Sequence, residues 1–141
     1  MKGKAILTVG VVIIDESKRI LLVRHTKAAD HLTDTYGLPA GRVQKGEGIV
    51  TACLREVKEE SGLQIFRKDL FRLPSTYYAE IDRKNGKKMF VFIPFYTIKF
   101  NGRIISSKKN EPQWVDNKDF TSLNLLPNVK EIIEEVLEIK K

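Results

Sequence analysis

Residues 41–63 read GRVQKGEGIVTACLREVKEESGL, and the carboxylates within this stretch decide the rest of the reading. Glu56, Glu59 and Glu60 fall within five residues. Gly48 and Gly62 bracket a run in which Ile49, Val50, Cys53, Leu54 and Val57 recur at helical spacing, which predicts a helix over 48–61. On a wheel of about 100° per residue the apolar positions fill one arc, and the three glutamates gather on its flank beside the small Ala52. Like charges three or four positions apart cost a helix about 0.2–0.5 kcal/mol per pair, so a merely solvated helix more often carries Lys at those offsets. Oxygen-rich side chains converging next to a buried face suit a hard cation, Mg²⁺ with Mn²⁺ able to substitute. The plain alternative is an acidic solvent face. Gly41, Glu47 and Arg55, at fixed intervals ahead of the trio, argue against it.

The spacing runs Gly41, five residues, Glu47, seven residues, then Arg55-Glu56-apolar-x-Glu59-Glu60-x-Gly62-apolar. This stretch resembles the signature box of the Nudix (MutT-like) hydrolases, with no position missing. The resemblance implies an α/β class fold, an α/β/α sandwich with a mixed β-sheet between helices, in which the box forms a loop, helix, loop unit. It also implies Mg²⁺-dependent hydrolysis of a nucleoside diphosphate linked to another group X. Carried over by position, Glu56, Glu59 and Glu60 are expected to hold the metal, with the backbone carbonyl of Ala40 as a further ligand. Here the chain has Pro39-Ala40-Gly41 where family members usually have Pro-Gly-Gly.

Water attacking a pyrophosphate needs a proton acceptor. Glu56 is the first candidate, with Arg55 positioning it, and Glu59 the next. Family members differ in this choice, and Glu111, just ahead of Trp114, is the later-loop candidate for base and metal ligand alike. Arg55 is equally well read as a salt-bridge partner within the box, and Glu47 as its brace. Gly41 and Gly62 are expected to supply positive φ in the loop and at the helix end.

The 141 residues are expected to form a single domain, 1–141, with enough apolar content for one core. The start, MKGKAILTVGVVIID, is read as a strand rather than a leader, because Val, Ile and Thr dominate it and no small-residue cleavage site follows. No apolar run reaches 18 residues, so no membrane span is expected. The lone Cys53 is expected to be buried and cannot form a disulfide within the chain, which fits a cytoplasmic protein. The net charge of +7 comes mostly from scattered Lys, read as a solubilising surface with some attraction for polyphosphate; no nucleic-acid motif accompanies it.

Strands are expected over 4–14 and 20–24, then a polar loop over 26–35. Strands at 71–81 and 88–99 are expected to pair about Asn85-Gly86, with further strands near 103–106 and at Trp114-Val115. Val129, Ile132, Ile133, Val136 and Leu137 share one face of an expected helix over 127–140. Arg24 and Tyr36, bordering the entrance loop, and Tyr78, about where diadenosine polyphosphate hydrolases carry a tyrosine, are the candidate substrate contacts. His25 and His31 border the same loop. Tyr77, Phe95 and Trp114 would add stacking surface unless they belong to the core. The segment Phe90–Phe95 is read as core or dimer contact, in a monomer or homodimer.

These residues point to a nucleotide pyrophosphohydrolase acting on a nucleoside triphosphate or another nucleoside-diphosphate-X, in the manner of nucleotide-pool sanitising enzymes. The rivals are an ADP-ribose or dinucleoside polyphosphate hydrolase, an enzyme of triphosphorylated or capped RNA ends, and a non-catalytic nucleotide-binding regulatory module of the same fold.

Overall fold

Val9 to Ile14 are all but fully buried, and a strand with no exposed face needs a layer on either side. The computed structural model describes residues 5–26, 34–83 and 86–140 and supplies both layers. Strand β1 (Ile6–Ile13) lies parallel to β7 (Gly86–Thr97) and antiparallel to β4 (Ala40–Arg42). Its side chains alternate between two cores. Val9, Val11 and Ile13 pack with Ala52, Cys53 and Val57 of α1 (Ile49–Ser61). Val12 packs with Val129, Ile132, Ile133 and Val136 of α2 (Val129–Ile139). Each fully buried Val or Leu contributes roughly 1.5–3 kcal/mol. The expected α/β/α sandwich is therefore present, with the sheet layer between the helices.

That layer consists of two sheets. The first has the order β4-β1-β7-β5, with β5 (Phe71–Arg72) and β6 (Tyr77–Arg83) both antiparallel to β7. The second is antiparallel, β3 (Tyr36–Gly37), β2 (Arg19–His25) and β8 (Asn110–Asp116). The expected strand over 71–81 is thus two strands, with Pro74 in the break, a residue that has no N–H to give a ladder. No strand forms at 103–106; Ile105 instead donates its N–H to the Ser61 carbonyl at the end of α1 (2.8 Å). The strand at Trp114 is longer than expected, and Pro127 lies just outside α2, whose N-cap is Asn128. Phe90, Ile93 and Phe95 are buried, so this segment is core. His31, with most of the 26–35 loop, and Asn85 lie outside the described residues.

Candidate active site

Helix α1 ends at Gly62, whose φ of 85° places it in the left-handed region and lets its N–H reach the Lys58 carbonyl at 3.0 Å. Within the helix, Arg55 is the hub of the box. Its Nε and Nη2 donate to the two oxygens of Glu47 at 2.7 and 2.9 Å, a bidentate pair. Its Nη1 donates to Glu56 at 2.7 Å and to Glu59 at 3.2 Å, and Nη2 also reaches the Arg42 carbonyl at 3.0 Å. Glu47 accepts the Gln44 N–H as well, closing the loop ahead of the helix (2.9 Å). Arg55 first, then that amide, hold the Glu47 carboxyl down at about 2. The bracing expected of Glu47 is visible in these bonds.

The box meets the sheet at the edge strand β4. Val11 N–H bonds to Pro39 and Val43 N–H to Leu7, so the alternation of an antiparallel ladder turns the polar backbone of Ala40 and Arg42 away from β1. Both face α1: Ala40 N–H donates to Glu60 at 2.8 Å, and the Arg42 carbonyl accepts from Arg55. Between them lies Gly41, which does not adopt the positive φ expected for it. Its requirement is space. A Cβ there would lie 2.1 Å from one oxygen of Glu56 and 2.6 Å from the other. Ala52, on the same helix, is fully buried in the α1-side core.

Burial is the largest influence on both inner glutamates. It pushes Glu60 up to about 8 against the opposing pull of the Ala40 amide. It raises Glu56 as well, although Arg55 pulls the other way. Glu47, Glu56 and Glu59 share the Arg55 guanidinium while Glu60 is held by the Ala40 amide, leaving an excess of three negative charges when all four are ionised. Among the described residues no three acidic, His or Cys side chains already converge as a ligand cage. The donor set nevertheless fits a hard divalent cation: desolvated carboxylates on one helix face, an excess of negative charge, and backbone carbonyl groups turned the same way.

A cavity of about 360 Å³ opens on the α2 side of β4. Thr8, Ala40, Phe90 and Phe92 line it from the sheet, Ala79 and Ile81 from β6, and Leu126 to Val129 from the start of α2. His25, Lys109 and Asn110 add polar groups, and Glu60 and Gly41 close the end nearest the box. Phe92 needs Gly10 beneath it, since a Cβ at Gly10 would lie 2.3 Å from the ring. A larger depression of about 690 Å³ around Asp15, Lys68 and Asn101 contains none of the box carboxylates, so volume alone does not mark the site.

The structure therefore brings Arg55, Glu56, Glu59, Glu60 and Ala40 together. Glu111 lies on β8, opposite Arg24 of β2, and accepts from Arg24 Nε at 2.9 Å; Arg24 also pairs with Asp34. Neither Arg24 nor Glu111 lines the cavity, whereas His25, the next residue along β2, does. Tyr36 is half-buried against the α2-side core. Tyr78 is 64% exposed and alternates away from Ala79 and Ile81. Phe95 and Trp114 belong to the α1-side core, Trp114 stacked 5.2 Å from Phe100. Thr8, Asn110 and Asn128 went unmarked by sequence reasoning, and Phe92 was read only within the apolar segment 90–95. Only Gly10, a glycine inside a strand, signalled a close approach there.

The sequence profile of the NUDIX domain matches residues 4–137. An 8-oxo-dGTP diphosphatase of Buchnera aphidicola is 25% identical over 118 residues, 84% of this chain and 82% of that protein. The crystal structure of a MutT NUDIX hydrolase from Burkholderia pseudomallei superposes with a TM-score of 0.76 at 25% identity, covering 95% of this chain and 99% of the other. That of a MutT protein from Methanosarcina mazei Go1 gives 0.80 at 22% identity, covering 100% and 99%. The chain spans only 15% to 23% of the length of four longer relatives that match it at 34% to 44% identity. No helix among the described residues is long and apolar enough to cross a membrane. With a profile match that spans nearly the whole sequence and a box complete at every position, the chain belongs to the Nudix hydrolase family.

Proposed function

We propose that this chain is a Mg²⁺-dependent nucleotide pyrophosphohydrolase, with Mn²⁺ able to substitute, cleaving a nucleoside triphosphate or another nucleoside-diphosphate-X. The observation that carries this reading is that Glu60 and Ala40 belong to the carboxylate cluster and to the cavity wall at once. A nucleoside in the cavity then has its phosphates at the β4 edge, beside the box. Glu56, Glu59, Glu60 and the Ala40 carbonyl are assigned to the metal. When bound, a divalent cation supplies neutralisation of the pyrophosphate charges and acidification of the attacking water.

The protein's own groups do the rest. Glu56 accepts the water proton, as a carboxylate that burial makes more basic than a surface one. Glu59, more exposed and held more loosely by Arg55, is the alternative base. Arg55 fixes the Glu56 carboxylate over Gly41. Lys109 and His25, which line the cavity, are assigned to the phosphate chain, and Phe92 to an apolar contact with the base. Glu111 is engaged by Arg24, which also pairs with Asp34, so this reading does not need Glu111 as a ligand. All these residues lie in one chain, so a monomer suffices. A cytoplasmic setting suits the buried unpaired thiol of Cys53.

The relative named an 8-oxo-dGTP diphosphatase makes oxidised nucleoside triphosphates, and with them nucleotide-pool sanitising, the first substrates to try. The test is a panel of canonical and oxidised nucleoside triphosphates, ADP-ribose, dinucleoside polyphosphates and a triphosphorylated RNA end, with Mg²⁺ or Mn²⁺. Release of phosphate or pyrophosphate together with a nucleotide product is expected from at least one. Tight binding with no hydrolysis of any member would favour the non-catalytic module instead.

A further inference from the structure

The cavity is bounded by two elements that no ladder joins. Ala79 and Ile81 of β6 form one wall, and Leu126, Asn128 and Val129 at the start of α2 form another. Among the described residues β6 pairs only with β7, so its spacing from α2 depends on side chains. Three hydrogen bonds cross it, beside the packing of the Tyr77 ring on the α2-side core. Tyr77 Oη donates to Glu135 Oε1 at 2.5 Å, and Ser75 Oγ donates to Glu135 Oε2 at 3.0 Å. Asn128 Nδ2 donates to the Tyr78 carbonyl at 2.9 Å.

Each partner departs from its ordinary use. An exposed helix carboxylate commonly pairs along its own helix, as Glu134 does with Lys130 at 2.9 Å. Glu135 commits both oxygens to hydroxyls of β6 and the turn before it. An N-cap Asn ordinarily accepts a helix amide. Asn128 makes no such cap, has a φ of 70°, and gives its amide to β6. A non-glycine residue held in the left-handed region is strained and persists only where its surroundings demand it. Partial burial, and then the hydrogen bond to Glu135, push Tyr77 up to about 12, so the phenol remains a donor.

We propose that Glu135 is a positioning residue for the nucleotide cavity: through Tyr77 and Ser75 it holds β6 against α2 and sets the width of the space that the base or group X enters. Glu135, Tyr77 and Ser75 do not line the cavity and act through Ala79 and Ile81. The inference rests on reading that cavity as the nucleotide site.

The experiment compares wild type with Tyr77→Phe, Glu135→Ala and the double variant, and with Glu135→Gln, which keeps an acceptor oxygen. Four quantities are measured: KM and kcat with Mg²⁺, Kd for a non-hydrolysable nucleoside triphosphate, amide exchange across 77–83, and Tm. Losing a hydrogen bond to a charged acceptor is expected to raise KM and Kd roughly tenfold in Tyr77→Phe and Glu135→Ala. Exchange quickens in β6, and kcat stays within about twofold of wild type. The double variant is no worse than the worse single, because the pair is one interaction, and Glu135→Gln recovers most of the affinity. Unchanged affinity in folded variants, or losses that simply follow Tm, would overturn the proposal. Wild type that binds no nucleotide would overturn the functional reading instead. Exchange in β6 would still judge the clamp, and unaltered exchange would refute it.

Discussion

Adding one methyl group at Gly41 separates the chemistry of the box from its stability. In Gly41→Ala the new Cβ would lie 2.1 Å from one oxygen of Glu56, 2.3 Å from its carboxyl carbon and 2.6 Å from the other oxygen. Ordinary contact begins near 3.4 Å, so the nearest oxygen must retreat by about 1.3 Å. Such a movement also disturbs its 2.7 Å bond from Arg55. The carboxylate is the far end of a flexible side chain, and Gly41 does not need positive φ, so the fold can accommodate the change. Replacing Gly by Ala also narrows the unfolded ensemble, which is worth about 0.4–1 kcal/mol where the backbone permits it. Stability is therefore expected to change by about 1 kcal/mol or less. A reacting group misplaced by about 1 Å can lose roughly 10²-fold in rate, which is the expected fall in kcat. The assay pairs steady-state hydrolysis of the best panel substrate, at saturating Mg²⁺, with thermal melting. A folded Gly41→Ala enzyme turning over within a few-fold of wild type would refute the placement of Glu56 in the chemistry.

Two further outcomes follow from the same geometry. Arg55→Lys replaces a planar fork by a point charge that cannot serve both Glu47 oxygens, Glu56, Glu59 and the Arg42 carbonyl together. It is expected to cost roughly 1–3 kcal/mol in urea denaturation and to lower kcat at least about tenfold, and an unchanged denaturation midpoint would contradict the hub. Burial raises Glu60 to about 8, above the roughly 4.3 of an unfolded carboxylate, so between those pH values the metal-free native state keeps a proton the unfolded chain has lost. Stability measured in chelator is thus full below about pH 4.3 and falls as pH rises through 8. Glu60→Gln should flatten that slope and be the more stable protein at pH 8; a parallel slope in both would contradict it.

What the sequence made legible was local. The box helix shows itself because its apolar spacing, its bracketing glycines and its carboxylates lie within one stretch, and β1 because a continuous apolar run has only one kind of place to go. Partner choice was not legible. Nothing in residues 36–42 says that Tyr36 and Ala40 belong to different sheets, and nothing in Ile104-Ile105 says that their backbone serves the end of α1 rather than a ladder. Gly41 was singled out for the wrong reason, because a glycine required by a carboxylate fifteen positions away reads the same as one required by φ. The cavity was hidden for a related cause. Its walls come from both sheets, the end of α1 and the start of α2, which meet only in three dimensions. Arg24 and Glu111 looked like two separate site residues until the β2–β8 register set them opposite one another.

The central claim is that the carboxylates of α1 perform metal-dependent hydrolysis of a nucleotide held beside Ala40. The most direct measurement is Mg²⁺-dependent turnover by Glu56→Gln and Glu60→Gln against wild type, on the best panel substrate, with circular dichroism confirming the fold. The account predicts that both folded variants nearly cease to hydrolyse it. Undiminished turnover in both would place the chemistry elsewhere.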